Sequence, residues 1–123
     1  MSRVIHFEII ADNPERAKKF YERVFEWKIK MWGPVEYWLI DSGKEGEPGI
    51  NGAIMRRTEE MKNEKTVNTI SVPSIDEFMR KIKESGGKVL TPKMPIQGIG
   101  YFAYCQDTEG NTFGIMEEDK TAK

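Results

Sequence analysis

The chain has 123 residues, 38% hydrophobic and 32% charged, and its 19 basic against 20 acidic side chains leave a formal net charge of -1. That length suits one domain with a single sizeable core, and a near-neutral balance with both signs scattered lacks the field by which a nucleic-acid binder draws its partner. Cys105 is the only cysteine, which excludes an intramolecular disulfide and suits a reducing cytoplasm; the first apolar run is cut by His6 and Glu8, so neither a signal-peptide core nor a membrane span is expected.

Val4 to Ile10 is rich in β-branched residues and predicts a strand. Ile5, Phe7 and Ile9 alternate with His6 and Glu8, which puts apolar groups on one strand face and ionisable groups on the other. Asn13 is placed to cap a helix and Pro14 suits its first turn. Ala17, Phe20, Tyr21, Val24 and Phe25 then recur with helical spacing, so the helix lays one apolar face on a flat layer. Three strand-like runs follow, Trp27 to Met31, Glu36 to Asp41 and Ile50 to Arg56, separated by Gly33-Pro34 and by the turn-rich Ser42 to Gly49. Residues 1–57 therefore read as one βαβββ unit. The polar run 58–65, TEEMKNEK, has no apolar period and predicts a linker.

The pattern begins again over 66–118. Val67 to Val72 is a strand, Ser74 with Glu77 forms a candidate capping box, and Ile75, Phe78, Met79 and Ile82 give a second helical stripe that ends at Gly86-Gly87. Lys88 to Thr91, Gly100 to Gln106 and Thr112 to Glu117 supply three more strands, the last two joined by a turn at Asp107 to Asn111. The expected fold is α+β, a single domain of tandem βαβββ units forming a curled mixed sheet, or cup, with the helices on the outer face. Each half buries one sheet face under its helix and leaves the other free to line a small-molecule pocket.

The segments VIHFEIIADNPERAKKFYERVFEW, SIDEFMRKIKESGGKV and DTEGNTFGIME resemble the vicinal oxygen chelate superfamily, which includes glyoxalase I, bleomycin-resistance proteins and extradiol dioxygenases. The resemblance covers nearly the whole chain and implies a homodimer. It does not fix an activity, because the fold hosts isomerases, dioxygenases, epimerases, lyases and non-catalytic drug binders. Metal-dependent members converge four ligands from the first and fourth strands of each unit. His6 matches the first of those positions, while Val67 and Gly114 fall where two others belong and Asn51 falls near the last. A valine and a glycine offer no ligand, and an amide oxygen is a poor one for Zn²⁺, Ni²⁺ or Fe²⁺. A divalent metal is therefore not expected, although His6 and Glu8 with groups from a second subunit leave a metal-dependent lyase or dioxygenase with an atypical ligand set as an alternative.

His6, the only histidine, shares a strand face with Glu8, and the two are the candidate catalytic residues, His6 as base and Glu8 orienting it. The plainer alternatives are a hydrogen-bonded structural histidine, and a Glu8 salt bridge to Arg56 or Arg57. Trp38, Asn51 and Tyr101 are the candidate ligand-binding residues. An aromatic residue on a strand is more often core, and Asn51 beside Gly52 also suits a turn or bulge. Cys105 reads as a buried small apolar residue, not a nucleophile. The expected function is small-molecule binding, with metal-independent lyase or isomerase chemistry at His6 and Glu8. The alternative is sequestration of a drug or metabolite without turnover, as in bleomycin resistance; neither reading calls for nucleic acid or membrane.

Overall fold

The structure is a computed structural model that describes residues 2–123. The chain forms two compact units, one of His6–Val67 and the other of residues 2–5 with 68–123.

The first unit holds β1 (Val4–Ala11, from His6 onward), α1 (Pro14–Phe25), β2 (Lys28–Met31), β3 (Tyr37–Asp41) and β4 (Gly52–Arg56). The Asn13 side-chain oxygen accepts the Arg16 N–H at 3.1 Å, which satisfies one of the orphan donors at the helix start, and Pro14 at the first helical position has no N–H to lose. The strands lie in the order β2-β3-β4-β1, with β1 parallel to β4 and the other pairs antiparallel. A parallel β1–β4 pair needs a long crossover, and α1, β2 and β3 supply it. Phe7 and Ile9 join Ile29, Ile40 and Ile54 in the core under Ala17 and Tyr21 of α1, so the apolar parity of β1 does face the helix. Gly52 stands opposite Phe7, whose carbonyl oxygen and ring occupy the space a Cβ would take.

The second unit holds β5 (Thr66–Ser71, from Asn68 onward), α2 (Ile75–Glu84), β6 (Lys88–Val89), β7 (Met94–Ile96), β8 (Gly100–Gln106) and β9 (Thr112–Glu118). Ser74 Oγ accepts the Glu77 N–H at 3.3 Å, as the capping pattern predicts, and Glu117 Oε1 accepts the Ile75 N–H at 2.9 Å. The order is β5-β9-β8-β6, with β5 parallel to β9. β7 is a strand that the sequence reading omits. Pro95 argues against a strand, yet Met94–Ile96 pairs with β8 alone, where a missing N–H is tolerated. β6 and β7 share one edge of β8, so together they stand where the first unit has a single strand.

The two βαβββ repeats, residues 1–57 and 66–118, correspond position by position along matching strands. His6 and Val67 each stand seven places before their helix cap, Glu8 matches Thr69, and β4 matches β9 through the Phe7–Gly52 and Asn68–Phe113 pairs. Tyr37 is opposite Met55 as Phe102 is opposite Met116, so these two aromatics are also counterparts.

Segment 58–65 contains neither helix nor strand. It is nonetheless pinned: Met61 is 2% exposed, and Arg57 Nη1 donates to the carbonyls of Met61, Lys62 and Glu64. No helix among the described residues is long and apolar enough to cross a membrane.

Candidate functional site

β1 delivers His6 and Glu8 to the face opposite α1, and Glu8 is buried there at 4% exposure. A buried carboxylate needs a polar partner. Arg56 and Arg57, the partners expected from the sequence, are engaged elsewhere, Arg56 with Glu36 and Arg57 with Asp12. One partner is Tyr37, whose hydroxyl donates to Glu8 Oε2 at 2.7 Å and lies 2.8 Å from His6 Nε2. Tyr37 comes from β3, two strands away, and the short side chain of Ala53 on the intervening β4 leaves the phenol a path across.

The order of donors follows from counting hydrogens. The Tyr37 hydroxyl has one hydrogen and spends it on Glu8, so Nε2 of His6 carries the hydrogen of the next bond. The chain therefore runs from His6 Nε2–H to the phenol oxygen and from the phenol O–H to the carboxylate. Neutral His6 thereby presents Nδ1 with its lone pair. Burial holds the imidazole below its ordinary value of 6.5, against the opposing pull of the Glu8 charge, which keeps it neutral at pH 7. A neutral imidazole with a fixed tautomer and a carboxylate behind it has the attributes of a general base.

Beside His6 lies an open depression of about 480 Å³, lined by Lys28, Lys30, Leu39, Asp41 and Asn51 among others. Strand pairing explains the set: Lys28 is opposite Asp41 and Lys30 opposite Leu39, on the face that also carries Tyr37. Asn51 is at the rim, but its side-chain oxygen accepts the Ser42 N–H at 2.9 Å and so closes the β3–β4 loop.

Trp38 and Tyr101, the expected aromatic liners, lie on the opposite faces of their strands. Trp38 packs with Ile29, Ile40 and Ile54, with Lys18 Nζ 5.9 Å from its ring centroid. Tyr101 packs with Ala103, Cys105 and Ile115 beneath α2, with Lys93 Nζ 5.1 Å from its ring. The residues on the other faces are their neighbours, Tyr37 and Phe102. Available signals were the polar Asp41 on Tyr37's parity and the small Ala103 and Cys105 on Tyr101's. Cys105 is buried, and burial pushes its thiol up to about 11, so it is no nucleophile at neutral pH.

The model of the Glyoxalase/Bleomycin resistance protein/Dioxygenase superfamily matches residues 3–115. The chain belongs to this superfamily. Three solved structures give the scale of the likeness. A hypothetical protein from Bacillus halodurans C-125 is 15% identical with a TM-score of 0.68, over 99% of this chain and 98% of that one. Methylmalonyl-CoA epimerase from Mycobacterium tuberculosis is 11% identical with a TM-score of 0.64, over 94% and 87%. A glyoxalase/bleomycin resistance protein/dioxygenase superfamily member from Vibrio splendidus 12B01 is 14% identical with a TM-score of 0.66, over 96% and 100%. At such identities the likeness speaks for the fold. No curated protein matches the chain.

The metal that many glyoxalase-superfamily proteins use does not fit the residues of this one. Among the described residues no three His, Cys, Asp or Glu side chains come together as a ligand set. His6 Nε2 and Glu8 Oε2 both meet the Tyr37 hydroxyl, so these two atoms serve a hydrogen-bond chain. In the second βαβββ repeat of the sequence, Val67 is fully buried, and a Cβ at Gly114 would stand 2.5 Å from Phe102 Cζ, so the Phe102 ring fills that space.

Proposed function

We propose that this glyoxalase-superfamily protein binds a small metabolite over the His6, Lys28 and Leu39 face and moves a proton on it without a metal, as an isomerase or lyase. The observation that carries the reading is the hydrogen-bonded chain His6–Tyr37–Glu8 beside an open depression. Nδ1 of His6 takes a hydrogen from a carbon next to a carbonyl, and the electron pair left behind moves into that carbonyl. Returning the proton to a neighbouring carbon completes an isomerisation, whereas returning it to the same face of the same carbon only exchanges it with solvent. The positive charge that develops on the imidazole is balanced through Tyr37 by the Glu8 carboxylate, a fixed arrangement needing no reorganisation. The presence of methylmalonyl-CoA epimerase among the proteins that share the fold is consistent with this class of reaction.

The test is exchange with solvent. In deuterated water the protein should place deuterium on a carbon acid from a panel of 2-oxo acids and acyl thioesters, read by mass spectrometry. His6→Gln should slow that exchange by roughly 10²- to 10⁴-fold. A bound ligand recovered intact and unlabelled would replace proton transfer with sequestration.

A further inference from the structure

The β2 end of the depression has chemistry that the proton-transfer reading leaves unused. Lys28 and Lys30 both line the depression, on the strand face opposite the buried Ile29. Neither makes an ion pair with a described residue. Lysines on an edge strand do discourage strand addition, but here the pair also stands over a depression that His6 closes at the other end. The acids of these strands on this face are Asp41, opposite Lys28, and Glu8, which Tyr37 engages, while Lys44, Glu45 and Glu47 line an adjoining depression beyond Asp41 and Asn51. At the β2 end two ammonium groups therefore face one carboxylate, a local positive surplus. Between them and His6 the floor includes Asp41 and Asn51, in line with Lys28, and the apolar Leu39, in line with Lys30.

We infer that this end is an anion subsite, taking the carboxylate or phosphate of a ligand whose apolar middle lies on Leu39 and whose far end reaches His6. The inference rests on the reading of this face as a ligand site and names the ligand class: an elongated, amphiphilic anion. Three inter-strand steps of about 4.8 Å separate β2 from β1. With the lysine stems extended over the sheet, the anionic group and the atom at the imidazole lie roughly 8 Å apart. Two-carbon acids are too short to engage both ends.

The probes are hexanoate and hexanamide, matched in length and differing in charge, with butyl phosphate as the second anion. His6 is the only histidine in the chain, so its imidazole gives an unambiguous NMR signal. At constant pH, hexanoate or butyl phosphate should shift that signal saturably, and the tighter of the two names the anion. Hexanamide should bind roughly tenfold more weakly, and Lys28→Gln with Lys30→Gln should weaken the anion by a similar factor while leaving hexanamide unchanged. Both lysines are exposed, so the double variant keeps the core; an unchanged far-ultraviolet dichroism spectrum checks this. Equal binding of amide and acids, anion binding that survives loss of both lysines, or no shift with any probe would each overturn the subsite. Hydrogen exchange plays no part in the readout. Lysine-dependent anion binding by a protein that exchanges no carbon-bound hydrogen would sink the proton-transfer reading and leave the subsite standing.

Discussion

Tyr37 holds the middle of the candidate site because a phenol can give one hydrogen and still accept another. Tyr37→Phe keeps the ring and removes the bridge, leaving a buried carboxylate short of a donor. The expected cost is about 1–3 kcal/mol of stability by denaturant unfolding. The same variant should release the imidazole from its single tautomer, and nitrogen NMR of His6 reports that directly. Finding the hydrogen of the parent His6 on Nδ1 would contradict the donor order. The pH dependence has a definite sign. Because burial lowers the His6 value in the folded protein, the unfolded chain binds that proton more readily between the folded value and 6.5. Stability should therefore fall as pH drops through that window, and turnover should lose its base as pH drops through the folded value, below 6.5. His6→Gln should flatten this part of the stability profile. Much of this is written in VIHFEII, where alternation alone puts His6 and Glu8 together. Tyr37 is not legible in the same way, because its meeting with β1 depends on strand order and register, and both Tyr37 and Trp38 are aromatic.

Among the elements, β4 and β9 make a controlled comparison through their glycines. A Cβ at Gly52 would collide with the backbone oxygen of Phe7 as well as its ring, whereas a Cβ at Gly114 would meet the tip of the Phe102 ring at 2.5 Å and Thr69 Oγ1 at 3.1 Å. Backbone cannot yield as a ring can. Gly52→Ala should therefore lower the unfolding temperature more than Gly114→Ala; the reverse ranking would mean that β1 shifts more easily than the Phe102 ring. Asn13→Ala should cost about 1 kcal/mol through α1. The caps, both helices and most strands were legible because their signals are local: Asn13-Pro14, Ser74, Gly86-Gly87 and alternating apolar residues. β7 was hidden by Pro92 and Pro95, and its existence depends on β8 offering an edge.

For the molecule as a whole, the family resemblance implies a homodimer. Such an assembly has apolar surface available, since Phe20, Val24 and Phe25 on α1 are each more than half exposed. Sedimentation at micromolar concentration should give twice the monomer mass, and a monomer would remove that expectation. The correspondence of the two units has a historical consequence. Where one copy carries His6, Glu8 and Tyr37, the other carries Val67, Thr69 and Phe102, and Thr69 Oγ1 is buried without a hydrogen-bond partner among the described residues. A duplicated segment whose copies differ in this way has divided its labour: one copy keeps reactive groups, and its twin is free to drift toward a plain apolar wall. Three substitutions separate the copies at these positions. If the copies arose by duplication, their ancestor had identical halves, with whatever groups then stood at these positions occurring twice.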